Sequence, residues 1–479
     1  SVGYAVAIGN ESMNNGNVAS GADGAIGIGY KALYSLTSGA GNVAVGYESL
    51  TVNTDGNQST AIGHQALKAQ TGTSGEVANT AVGYQAGLAI TTGTKNTALG
   101  SGALVATDDG VSNTAIGSFA MGVGNAGNSN TAVGGQCLVD VTGSNNVAVG
   151  FQTLFDLTSG GSNIAIGHSA GKLMNGAENE NTIIGIGSMA DANNDSTAKN
   201  VAVGNYTLNE IGTNAQVGLV AIGHSALRAL TSGAGNTVIG YQAGDAMTGT
   251  SRTTIMGYQA GSAINSNDAS GTTLFGHQAG QDITSGPYNT LVGDGAGKQI
   301  LSGSGNTALG YNAMDELYDG SRNVAIGLNA MGNVVGGTTS DGSSDNVFIG
   351  YNSGGGAWTD VACNQNIGIG TNVLDGALDG ALNNTGVGHG SLGAVTEGDN
   401  NVGYGYLAGD TITTGASNTI IGASADVSAS GASNETVIGQ GATGRGNNTV
   451  TLGNSSVTDL VIAPGNSTAQ NITFRDTAD

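Results

Sequence analysis

Aligned on a recurring glycine, the chain alternates short apolar triplets with long polar turns. Each triplet is a β-branched residue, a small residue and an apolar residue, and Gly follows directly. The unit recurs 26 times, from Gly9, Gly29 and Gly46 through Gly167, Gly187 and Gly204 to Gly439 and Gly453, at spacings of 14 to 23 residues with 17 the commonest. Three residues before each landmark stands Thr, Val or Ile, as at Val43, Thr80 and Thr114; the residue just before it is apolar in every copy except Tyr404. Such a triplet predicts a short strand with two distinct faces. No long window shows the 3.6-residue period of an amphipathic helix.

Two further positions keep register. Four residues before the landmark, 17 copies carry Asn, among them Asn42, Asn79, Asn96, Asn113, Asn130, Asn163, Asn236, Asn289, Asn306, Asn323 and Asn418. If like sits above like, these amides form a structural row bonded along the stack. Three residues after the landmark, every copy but Val373 has Ala, Ser, Thr or Cys. That position predicts a second short strand or an arc whose inward side chain faces a close wall. The remaining residues are turn chemistry; Leu36-Thr37-Ser38-Gly39-Ala40-Gly41-Asn42 recurs identically at Leu230 to Asn236, and its Gly, Ser and Asn suit tight corners.

The expectation is an all-β, parallel β-solenoid or β-roll of about 26 coils over residues 1–453, with 454–479 as a cap or terminal segment in which Val457 to Ile462 and Asn471 to Phe474 read as strands. At roughly 4.8 Å per coil such a stack is on the order of 120 Å long. Composition agrees: 87 of 479 residues are Gly, only 2 are Pro, 9% are charged and 4% aromatic. Collagen lacks its proline and triplet period, a disordered chain lacks its charge, and helical domains do not tolerate so much glycine. The opening Ser1-Val2-Gly3, without Met, is expected of a processed product.

Strings such as Asn42-Val43-Ala44-Val45-Gly46, Asn113-Thr114-Ala115-Ile116-Gly117 and Asn323-Val324-Ala325-Ile326-Gly327 resemble the repeats of YadA-type heads of trimeric autotransporter adhesins, and similar repeats in bacteriophage tail fibres. The resemblance covers about 450 residues, with a period longer than is usual in adhesin heads. It implies a parallel β-roll in each chain and a side-by-side homotrimer. Asn448 to Val457 is similar to the segment that precedes a self-cleaving intramolecular chaperone in many phage fibres.

The net charge of −23, from 34 acidic and 11 basic residues, disfavours nucleic acid, and no apolar run is long enough to span a membrane. All five His follow a landmark glycine, as do eight Tyr and Phe151. Their spacing of at least 50 residues argues against metal; a corner-covering or subunit-contact stripe is the plainer reading. Tyr241, Tyr258, Tyr311 and Tyr351 are the candidate receptor contacts in this row, joined by Trp358, the sole Trp, near an enlarged polar loop at Gly336 to Asp345. Trp358 reads equally as a plug filling an irregular coil. Cys137 occupies a small inward position, and Cys363 is too distant in the stack to pair with it. No nucleophile, phosphate-loop or calcium-repeat motif is present, so no catalytic residue and no cofactor is expected. A glycosidase-like pair would have to come from carboxylates such as Asp108, Asp109, Asp315 or Glu316. The mixture of Thr with Val and Ile at the β-branched position lowers an ice-binding reading.

The expected function is therefore that of a structural and adhesive fibre, extracellular on a virion tail or cell surface. Its expected partners are two further copies of itself and a host cell-surface glycan or protein. The alternatives are a bacterial trimeric adhesin head and, in another class, a polysaccharide-degrading tailspike.

Overall fold

A computed structural model describes residues 4–14, 18, 21–72, 75–194, 196–212, 214, 216–333, 342–358 and 361–459. Two compact units divide the chain, Ser1–Asn329 and Ala330–Asp479. Each is an all-β parallel β-solenoid. Among the described residues the first unit stacks 19 three-residue strands, from Val6–Ile8 to Val324–Ile326, and the second stacks seven, from Val347–Ile349 to Val450–Leu452. Neighbouring strands pair parallel and like on like: Val43 lies beside Thr60, Ala44 beside Ala61 and Val45 beside Ile62.

The triplet pattern sets the two faces. Its central residue points inward and is fully buried, as at Ala44, Ala61 and Ala81, while its flanking residues are only partly covered. In several coils an enlarged strand centre is matched by a smaller opposite wall. Val238, Ile255, Leu274 and Leu291 share their coils with Gly244, Gly261, Gly280 and Gly297, whereas coils with a central Ala at residues 61, 115 and 148 carry Leu67, Met121 and Leu154 at that wall. A Cβ on Gly261 would lie 2.7 Å from Leu274 Cδ1. Core volume is shared between neighbouring coils rather than fixed within each: Ala81 and Ala165 share their coils with Gly87 and Gly171, where Leu67 and Leu154 of the preceding coil fill the space a Cβ would take.

The landmark glycine ends each strand because no other residue fits. Gly46 has φ +142°, and a Cβ there would lie 2.2 Å from the carbonyl oxygen of Gly63 in the next coil. The landmark proposed at Gly187 is corrected by the structure: the strand is Thr182–Ile184 and the corner is Gly185, at φ +139°, while Gly187 has φ +61°. Ile184-Gly185-Ile186-Gly187 offers the apolar-Gly pair twice. Asn181 selects the first, because its N–H donates to Asn163 Oδ1 at 3.0 Å and so continues the Asn row.

Beyond the corner the chain forms an arc, which resolves the choice between strand and arc. Gln65 and Leu67 sit at φ +59° and +47° on either side of Ala66, and the same alternation recurs through the stack. Left-handed backbone is uncommon for such residues. Here bonds between coils hold it, with Gln65 N–H donating to Tyr47 O at 2.7 Å and Leu67 N–H to Ala86 O at 3.0 Å. Residues 457–459 form no strand, and the rest of the proposed cap, like positions 336–341 of the polar loop, lies outside the described residues.

All eleven Asn named for the structural row are buried. In Asn113 the side-chain Nδ2 donates to Gly127 O at 2.7 Å, and Oδ1 accepts the N–H of Asn130 at 2.9 Å. The row therefore joins amide to backbone in the next coil as well as amide to amide, and it satisfies corner carbonyls that water cannot reach. Glu435 ends it in the second unit. Its N–H donates to Asn418 Oδ1 at 2.9 Å, and its carboxylate accepts from the N–H groups of Ser428 and Gly446 at 2.9 Å each.

Candidate functional site

Two surfaces lie on either side of the corner glycine. Before it, the outward residues of successive strands form two rows. One is Thr, Val or Ile and the other is apolar except at Tyr404; Ile62, Leu99 and Phe275 in the second row are 40, 46 and 52% exposed. The chain has 34 acidic and 11 basic residues, and none stands in either row. In the first unit, 19 strands of three residues present a face on the order of 800 Å². A monomer ordinarily exposes apolar patches of about 300–600 Å², and one partner in a stable interface contributes about 800 Å².

After the corner comes the aromatic row. Tyr30, Tyr47, His64 and Tyr84 stack with centroid separations of 5.2, 4.9 and 5.3 Å. His224, Tyr241, Tyr258 and His277 form a second stack at 5.4, 5.2 and 5.3 Å. A coil spacing of roughly 4.8 Å favours face-to-face stacking of rings in successive coils, while Phe151 and His168 are tilted by 31° at 5.6 Å. Tyr241 and Tyr258, proposed as receptor contacts, are 43 and 46% exposed, but each has a ring against both faces. They offer edges and hydroxyl groups and no open face on which a sugar could stack. Tyr311 and Tyr351 are 54 and 53% exposed and stack on no ring among the described residues.

Trp358 is removed from the contact surface by its burial. It is 0% exposed, meets Phe348 edge-on at 5.7 Å and donates from Nε1 to Gly354 O at 3.0 Å. It plugs a widened coil where Gly354 makes room beside Phe348. The carboxylates named for a hydrolase are not brought together. Asp108 and Asp109 are exposed, and Asp315 lies twelve coils along the first unit, roughly 60 Å away at strand spacing. Burial raises the Asp315 carboxyl, with Lys298 opposing that shift.

No group of three His, Cys, Asp or Glu side chains is placed to hold a metal among the described residues. His277 Nδ1 meets Asp294 Oδ1 at 3.1 Å, and His224 Nδ1 meets the Ser225 hydroxyl at 3.0 Å. Both thiols are buried and free. Burial pushes Cys137 up to about 12 and Cys363 up to about 11, which keeps them unreactive. No described helix is long and apolar enough to cross a membrane.

A further row escaped sequence reasoning. Two residues after the corner, Gln recurs, and its amides join coil to coil: Gln85 Nε2 donates to Gln65 Oε1, and Gln259 Nε2 to Gln242 Oε1, at 3.0 Å each. Its signal was Gln beside the aromatic row in seven coils, at residues 65, 85, 136, 152, 242, 259 and 278, in short runs separated by residues such as Phe119, Tyr206 and Ser225. No known protein family matches the chain, and no curated protein matches its sequence.

Proposed function

We propose that the chain is a structural and adhesive fibre segment that self-associates side by side as a parallel homotrimer and presents the surface beyond its corner glycines to a cell-surface glycan or protein. One observation carries the reading: the strand face holds no charged residue in any coil of a chain whose net charge is −23. Charges keep exposed sheet faces and edges soluble. Their complete exclusion from two rows, with apolar side chains left half-exposed, fits a face that another copy covers. In-register repetition favours a parallel partner, because each coil then meets the same coil of its neighbour. The resemblance to adhesin heads and phage fibres agrees in fold type and supplies the trimer. A stacked, cross-bonded column also suits a segment that projects and bears load.

Sedimentation equilibrium of the purified chain tests the assembly and is expected to give three times the 46.6 kDa chain mass. A monomer at micromolar concentration overturns it. Retention of the assembled chain on intact cells, measured beside a chain of similar charge and size, tests adhesion, and equal retention of the two overturns that part.

A further inference from the structure

In one place of the first unit the Gln row opens into a cavity. Across four successive coils the row reads Gly187, Tyr206, Ser225, Gln242. Tyr206 leans back over Gly187, where a Cβ would stand 3.0 Å from its ring, and it meets His224 edge-on at 5.9 Å and 71°. It therefore stays out of the ring stack that begins at His224. Ser225 is too short to reach either neighbour in the row and turns its hydroxyl to His224. The Gln242 Nε2, whose counterparts in Gln85, Gln152 and Gln259 donate to the preceding Gln, belongs to a side chain lining the gap and makes no bond among the described residues.

The result is an open cavity of about 410 Å³, within the range that small ligands occupy. Its lining is chemically mixed. Tyr206 supplies an aromatic ring, and the Arg228 guanidinium is held to Asp245 by two bonds of 3.0 and 3.3 Å. Tyr206, Asn209 and Glu210 line the same gap, and their polar side-chain atoms make no bond within the chain among the described residues. Unused planar amide and carboxylate groups around an aromatic ring suit a ligand with a C–H face and a rim of hydroxyl groups.

We infer that this gap is a saccharide site that takes one unit of a neutral or amino-substituted glycan. Charge decides against acidic sugars. Glu210 and Asp245 outnumber Arg228 by one, and the whole chain carries −23, so phosphate, sulfate or carboxylate groups are repelled. The inference rests on the adhesive part of the proposed function and names its ligand class. Three coils of a single unit line the site, so it does not depend on self-association.

The sharpest variant is Ser225→Gln, which restores the Gln row in a left-handed position that Gln already occupies in neighbouring coils, and so fills the gap without disturbing the fold. An array of neutral, amino-substituted and anionic oligosaccharides, followed by calorimetric titration of the strongest binder, is the assay. The expected result is binding of neutral or amino sugars, weakened about tenfold or more by Ser225→Gln and by Tyr206→Ala, with Tyr84→Ala in the distant stack changing it by less than about twofold. Equal binding by parent and Ser225→Gln overturns the site, as does preference for anionic sugars, absence of any saccharide binding, or capture of a protein ligand alone. Sedimentation of the same samples separates the two readings. A trimer that binds no sugar sinks the site alone, and a monomer that binds sugar sinks the assembly alone.

Discussion

The rows before and after the corner glycine differ in what they tolerate. Before it, every coil repeats the same uncharged choice; Thr, Val, Ile, Leu, Met and Phe interchange, and the one polar aromatic among the apolar positions is Tyr404. After it, the side chains run through Tyr, His, Phe, Gln, Lys, Glu, Ser and Gly, with ion pairs such as Lys68 with Glu48 at 2.6 Å. Both surfaces belong to the same coils; strand backbone before the corner favours β-branched residues, but it does not bar Lys or Glu from outward positions, so the backbone alone does not account for the missing charge. A face that meets water can vary, whereas a face that meets a copy of itself has to stay uniform in every coil. Uniformity thus points to self-association, and variation points to recognition of something else.

The largest effect is expected at the corner that separates the two surfaces. Gly240→Ala puts a Cβ 2.1 Å from Gly257 O at φ +141°, so a loss of about 3 kcal/mol is expected in thermal or denaturant melting, with both surfaces lost locally. On the strand face, Ile222→Lys replaces a side chain that is 36% exposed. It is expected to lower the sedimentation mass toward that of one chain, while the melting of the isolated chain shifts by less than about 0.5 kcal/mol. Beyond the corner the same test is expected to come out the other way. Tyr241→Ala removes a ring stacked on two neighbours and is expected to cost about 1 kcal/mol with no change in mass.

The smallest effect concerns Asp315, on the variable side. Its Oδ1 is buried without a hydrogen bond, and burial raises its pKa above the ordinary carboxylate value. A raised acid contributes stability that is complete below its unfolded pKa of about 3.9 and is lost as pH rises through the folded value. At pH 7 the ionised form therefore costs stability. Asp315→Asn is expected to raise the unfolding free energy at pH 7 by roughly a few tenths of a kcal/mol, a figure reduced for partial exposure, and to lose that advantage near pH 3.5.

Much of this architecture could be read from the sequence, because 26 copies act as their own alignment. The corner glycine, the small inward residue and the Asn row each answer one steric or hydrogen-bonding demand repeated in every coil, so each shows as a column. Features that occur once have no column. For Trp358 the sequence left a surface contact and an inward plug equally open, since its burial depends on the space that Gly354 leaves beside Phe348. The Gly187 error arose where two apolar-Gly pairs stand side by side and only the Asn four residues before Gly185 distinguishes them. The aromatic row was visible as a row, but the covering of ring faces follows from coil spacing and three-dimensional registry. The gap at Ser225 was hidden for another reason: an absent side chain is legible only against the Gln on neighbouring coils.

The central claim is that the uncharged strand face is where identical chains meet in parallel. Single cysteines at two partly covered positions in the first unit, Val45→Cys and Val292→Cys in a Cys137→Ala, Cys363→Ala background, test it by disulfide cross-linking of a mixture of the two variants. A parallel assembly predicts efficient cross-links of 45 with 45 and of 292 with 292, and none of 45 with 292. Cross-links between the two positions, or none at all, would contradict it.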